Sequence, residues 1–97
     1  MITFEWDENK NKINKLKHGV DFIEAISAFY DNKAILFDDP DHSEDEAGFL
    51  LIGISKRTRL LIISHCYRDK DEVIRIISAR IATRTETDYY VQSGGEL

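Results

Sequence analysis

Two runs of apolar residues, "FLLIGIS" from Phe49 to Ser55 and "LLII" from Leu60 to Ile63, constrain this chain more than any other feature. A strand with one wet face alternates apolar and polar residues, and these runs do not, so both of their faces must be covered. The "KRT" between them has tight-turn length, so they are expected to pair as a hairpin. The other segments must then supply cover on both sides. At 97 residues the chain has room for one modest core, so residues 1–97 are expected to form a single domain.

The flanking sequence supplies that cover. "ITFEW" (2–6) alternates and is rich in aromatic and β-branched residues, which predicts a strand. Asp7 caps a helix running from Glu8 to about Lys17, with Ile13 and Leu16 as its apolar face and Gly19 as its stop. Asp21 opens a second helix, Glu24 completes a reciprocal capping pattern, and Phe22, Ile26, Phe29 and Tyr30 recur at helical spacing. "AILF" (34–37) is a short strand. The strand that opens with Leu60 continues to about Tyr67, "RDKDE" turns, and "VIRIIS" (73–78) returns. Thr83 with Glu86 matches a capping box, so a final helix runs from about Arg84 to Gln92. The order β-α-α-β-β-β-β-α predicts an α+β fold: an N-terminal strand and helical hairpin packed on a largely antiparallel sheet, with a C-terminal helix.

Composition excludes several classes. Apolar runs of four residues fall far short of the roughly 20 needed to span a bilayer, and "MITFEWDENK" lacks a secretory start, so a cytoplasmic location is expected. Cys66 is the one cysteine, which rules out an internal disulfide and suits a reducing compartment; a small buried side chain on a strand is its expected role. The acidic stretch "DDPDHSEDE" (38–46) lacks the glycine of a calcium loop and a partner for His42 at ligand spacing. It reads as a solvated loop, with no metal and no cofactor expected.

Charge is distributed unevenly. The net charge is −5, yet residues 57–84 carry seven Lys/Arg against three Asp/Glu, and six of the seven are arginines. A planar guanidinium fork suits phosphate or carboxylate, so an anionic partner is implied. Within "VIRIISARIATRTE" (73–86), Arg75 is expected to point with Val73 and Ile77, and Ser78 with Ile74 and Ile76. Arg80 falls in a strand-to-helix corner, and Arg84 in the first turn of a helix whose N–H groups already attract anions. The competing arrangement for these arginines is an internal bridge to Glu86, Asp88 or the acidic loop. In "HCYRD", His65 and Tyr67 share a face with Leu61 and Ile63, while Cys66 and Arg68 share the other.

At these residues the chain resembles a known family. "FEWDENKNKINKLKHGVDFIEA", "FDDPDHSEDE", "LLIGISKRTRLLIISHCYRD" and "IRIISARIATRTE", in that order over roughly residues 4–90, are similar to the BrnT toxins of type II toxin–antitoxin modules. The resemblance implies a RelE-like fold, a metal-independent endoribonuclease that inhibits translation by cleaving RNA, and neutralisation by a DNA-binding BrnA-type antitoxin in a heterotetramer built on an antitoxin dimer. Further arginines that members often carry are replaced here by Ile81 and Thr85. Without a metal, the RNA 2′-hydroxyl attacks the adjacent phosphorus while the protein transfers protons and neutralises charge. Arg68, Arg80, His65 and Tyr67 are the expected catalytic residues. Arg84 and Arg75, with Lys17 and His18 as lesser candidates, are expected to hold flanking RNA. The alternative reading is a non-catalytic module that clamps an acidic protein with the same arginine strip.

Overall fold

The computed structural model describes residues 1–41 and 48–97. Most of the acidic stretch, including His42 and Glu44 to Glu46, therefore lies outside the described residues. The elements are β1 (Thr3–Glu5), α1 (Glu8–His18), α2 (Phe22–Ala28), β2 (Ile35–Asp38), β3 (Gly48–Ile54), β4 (Leu60–Arg68), β5 (Val73–Ile81) and α3 (Arg84–Gln92). The sheet order is β1-β5-β4-β3-β2; β1 runs parallel to β5 and the other pairs are antiparallel. This is the α+β arrangement that the apolar runs and the element order require.

Local chemistry sets the boundaries. The Asp7 carboxylate accepts the Asn9 N–H at 2.8 Å to open α1. Gly19 ends it at φ 69°, returning its N–H to the Lys15 carbonyl. Thr83 and Glu86 form the expected reciprocal cap on α3. Glu24 does something else. It is buried, accepts the Ser55 hydroxyl at 2.7 Å and forks with the Arg59 guanidinium, so it fastens α2 to the β3–β4 turn instead of capping its own helix.

Both faces of the central hairpin are covered. On one, Val20, Phe22, Ala25 and Ala28 pack against Leu51, Leu61, Ile63, Ile76 and Ala79. Gly53 permits this approach, because a Cβ there would stand 2.6 Å from the Ala28 carbonyl oxygen. On the other face, Tyr90 of α3 packs against Ile52, Leu60 and Ile62. Its hydroxyl donates to Asp31 at 2.6 Å, and the same carboxylate oxygen accepts the Ile54 N–H at 2.9 Å, which ties α3 to β3 and to the turn after α2.

Two features depart from expectation. The inward residues of α1 are Asn11 and Asn14; Ile13 is 61% exposed and Leu16 90%. The reason lies at the edge of β5. β1 pairs with it only from Val73 to Arg75. Beyond that, the Asn14 amide takes the place of a strand: it accepts the Ala79 N–H at 3.1 Å and donates to the Ala79 carbonyl at 2.8 Å and the Val20 carbonyl at 2.9 Å. A leucine could satisfy none of these groups. Second, β5 runs on to Ile81 and contains an extra residue. Ser64 lies opposite Ser78 but His65 opposite Ile76, so Ile77 is a bulge.

Candidate functional site

The bulge decides which side chains meet. Arg75 and Arg80 are five residues apart, and regular alternation would send them to opposite faces of the sheet. With Ile77 inserted, Arg75 lies opposite Cys66, Ser78 opposite Ser64 and Arg80 opposite Ile62. All three therefore face the same way as Cys66 and Arg68, on the side that carries α3. Ser78 consequently joins the arginines instead of Ile74 and Ile76. Arg80 stands within the strand, not in the corner after it.

Tyr90 of α3 packs over Ile52, Leu60 and Ile62 at one end of this face. Beside it is a depression of about 330 Å³, with Leu50, Ile62, Ser64 and Ser78 lining it alongside Asp39, Asp41 and Arg80. The Ser64 hydroxyl donates to Asp39 at 3.1 Å. Arg80 donates both terminal nitrogens to Glu86 at 2.8 Å. Glu86 also accepts the Thr83 N–H at 2.8 Å, so the α3 cap fixes the carboxylate that holds the guanidinium. The Arg80 hydrogen bonds and charge push the Glu86 carboxyl down to about 2. The Arg80–Glu86 bridge is the internal one weighed from spacing.

Towards the β1 end, Arg75 donates to Glu5 at 2.9 Å and the Arg68 Nε stands 3.7 Å from the same carboxylate oxygen. Arg75 and Arg80 are roughly 13–16 Å apart along the strand, allowing for the bulge. Arg84 is exposed in the first turn of α3.

His65 and Tyr67 lie on the opposite face. His65 is fully buried, ringed by Phe29 at 4.9 Å and Tyr67 at 5.3 Å between centroids. Its Nδ1 is 3.0 Å from the Ile63 carbonyl and its Nε2 3.3 Å from the Tyr67 hydroxyl. These contacts fit a neutral ring that donates from Nδ1 and accepts at Nε2. Burial lowers its pKa, against the opposing pull of the Ile63 carbonyl and Asp39. Burial, reinforced by the charge of Asp71, raises that of Tyr67. Lys17 and His18, at the end of α1, line a separate groove beside Ile77. The structure thus brings Arg68, Arg75 and Arg80 to one face and leaves Arg84 exposed at the start of α3, and it brings neither His65, Tyr67 nor Lys17 and His18 to the three.

Sequence reading passed over Ser64, Ser78 and Asp39 as members of the site. Ser64 and Ser78 become neighbours only through the strand register, and Asp39 was one acid in an acidic run. Among the described residues, no group of three or more His, Cys, Asp or Glu is arranged to hold a metal ion.

Fold and face together define the class: a small α+β protein whose mostly antiparallel five-stranded sheet gathers Arg68, Arg75 and Arg80 on one face. The family model described as "Ribonuclease toxin, BrnT, of type II toxin-antitoxin system" matches residues 6–86, and the chain belongs to that family. A crystal structure of the Brucella abortus ribonuclease toxin, BrnT, is similar in fold, with a TM-score of 0.65 and 23% identity over 87% of this chain and 100% of that one. No curated protein sequence matches the chain.

Proposed function

We propose that this chain is a metal-independent endoribonuclease that acts in the cytoplasm as one toxin domain, residues 1–97, and blocks translation by cutting RNA. The observation that carries this reading is the Arg80 fork beside the Ser64–Ser78–Asp39 depression, on the same face as Arg68 and Arg75. RNA lies along this face with the scissile phosphate at Arg80 and flanking phosphates towards Arg75, Arg68 and Arg84. The 2′-oxygen attacks phosphorus, the P–O5′ bond breaks, and the products are a 2′,3′-cyclic phosphate and a 5′-hydroxyl. The 2′-hydroxyl proton passes to a carboxylate, for which Asp39, lining the depression and accepting the Ser64 hydroxyl, is the candidate. The leaving oxygen takes a proton from solvent or from a hydroxyl of the site. Arg80 neutralises the non-bridging oxygens as charge accumulates there. His65 and Tyr67 act from behind the sheet by holding the backbone of β4 in place.

A BrnA-type antitoxin neutralises the toxin in a heterotetramer built on an antitoxin dimer. The first test is cleavage of RNA by the purified chain in excess EDTA. Cleavage that persists, and falls by about 10²-fold or more in a folded Arg80→Ala variant, is the expected result. Loss of cleavage on chelation overturns metal independence. Intact RNA under all conditions overturns catalysis and leaves a module that clamps acidic protein.

A further inference from the structure

The groove beside α1 lies outside the core and shares only Ser78 with the arginine face. Ile13 lines it and is 61% exposed, Leu16 stands one turn further along α1 outside the lining, and across the groove Ile77, pushed out by the bulge, is 37% exposed. Lys10 and Lys17 line the groove on either side of Ile13, and Lys12 and Lys15 lie on the same helix. Residues 8–18 carry four lysines against one glutamate, in a chain whose net charge is −5.

Aliphatic side chains left in water between cations match a partner that is apolar at its centre and acidic at its rim. Phosphate gains nothing from Ile13 or Leu16, so RNA fits the groove poorly. A second copy of this chain, meeting it through a two-fold axis, would set lysine against lysine. Position adds a functional argument. Ser78 lines this groove and also the Arg80 depression, so an occupant of the groove borders the site across a single strand.

We propose that this groove is the docking site of the antitoxin, which seats an amphipathic segment there with aliphatic side chains on Ile13 and Ile77, reaching over the exposed Leu16 at the groove's rim, and carboxylates on Lys10 and Lys17. The inference rests on the antitoxin reading above. It also supplies a route to inhibition, since chain continuing from the groove past Ser78 covers Arg80.

The test uses the full chain and the antitoxin encoded with it, both purified, with binding followed by calorimetry and rescue followed by co-expression in bacteria. Ile13→Glu with Leu16→Glu, both at exposed helical positions, should weaken the complex at least 100-fold. Growth inhibition by the toxin alone should be unchanged, and the antitoxin should no longer rescue growth. The milder Ile13→Ala with Leu16→Ala pair, which keeps helix propensity, should weaken binding about 10-fold. Unchanged affinity in both folded variants overturns the docking site while leaving the antitoxin reading intact. A folded variant that binds antitoxin normally but has lost toxicity gives the groove to RNA and overturns the proposal. A wild-type chain that binds no antitoxin overturns the underlying reading, and the docking site with it.

Discussion

Arg80 is the side chain at which the fold and the proposed chemistry meet. At rest its guanidinium is neutralised by Glu86, which the α3 cap holds in place. On the proposed reading, RNA phosphate competes with a carboxylate already in the fork. Arg80→Lys keeps the charge and loses the fork, so cleavage should fall by on the order of 10²-fold with little change in melting temperature; near wild-type rates in a single-turnover assay would refute the need for a fork. The neutral His65 sets a pH dependence of stability. Its folded pKa lies below the ordinary 6.5, so the unfolded chain takes up the proton first as pH falls through that value. The melting temperature should decline from pH 7 into the acid range below 6.5, and His65→Gln should flatten that part of the profile. Glu86 contributes lower down, its stabilisation being complete above about 4.5 and lost as pH falls towards 2.

At the scale of elements, what could be read from sequence was what is local. The caps at Asp7 and Thr83–Glu86, the Gly19 stop and the doubly apolar hairpin depend on residues a few positions apart, and the structure has each where spacing puts it. Two elements could not be read this way. The inward face of α1 is polar because β5 has an unpaired edge, which no periodicity in α1 encodes. The β5 bulge arises from the pairing of two strands, yet it decides that Arg75 and Arg80 share a face. Asn14→Leu should therefore destabilise the fold by about 3 kcal/mol, since it strands buried backbone groups on Ala79 and Val20. Leu16→Gln, a larger change on paper, should stay within about 0.5 kcal/mol. Urea denaturation of the two variants checks the contrast, and equal losses would contradict the role given to Asn14.

For the whole molecule, the sheet separates tasks between its faces. The side against the helical hairpin is closed, filled by Phe22, Ile63, His65 and their neighbours, and gives the strands their rigidity. The α3 side is closed only in part and carries the arginines. Family membership could be read from ordered motifs spread along the chain, whereas the face could not, because His65, Tyr67 and Arg68 are adjacent in sequence and divided by the sheet. The most direct measurement follows amide chemical shifts while the isotope-labelled chain is titrated with an RNA oligonucleotide blocked by 2′-O-methyl groups, which can bind but cannot be cut. Shifts gathered on Ser64, Arg75, Ser78 and Arg80 are the expected result. Shifts gathered on α1 and α2, with those four residues silent, would contradict the account.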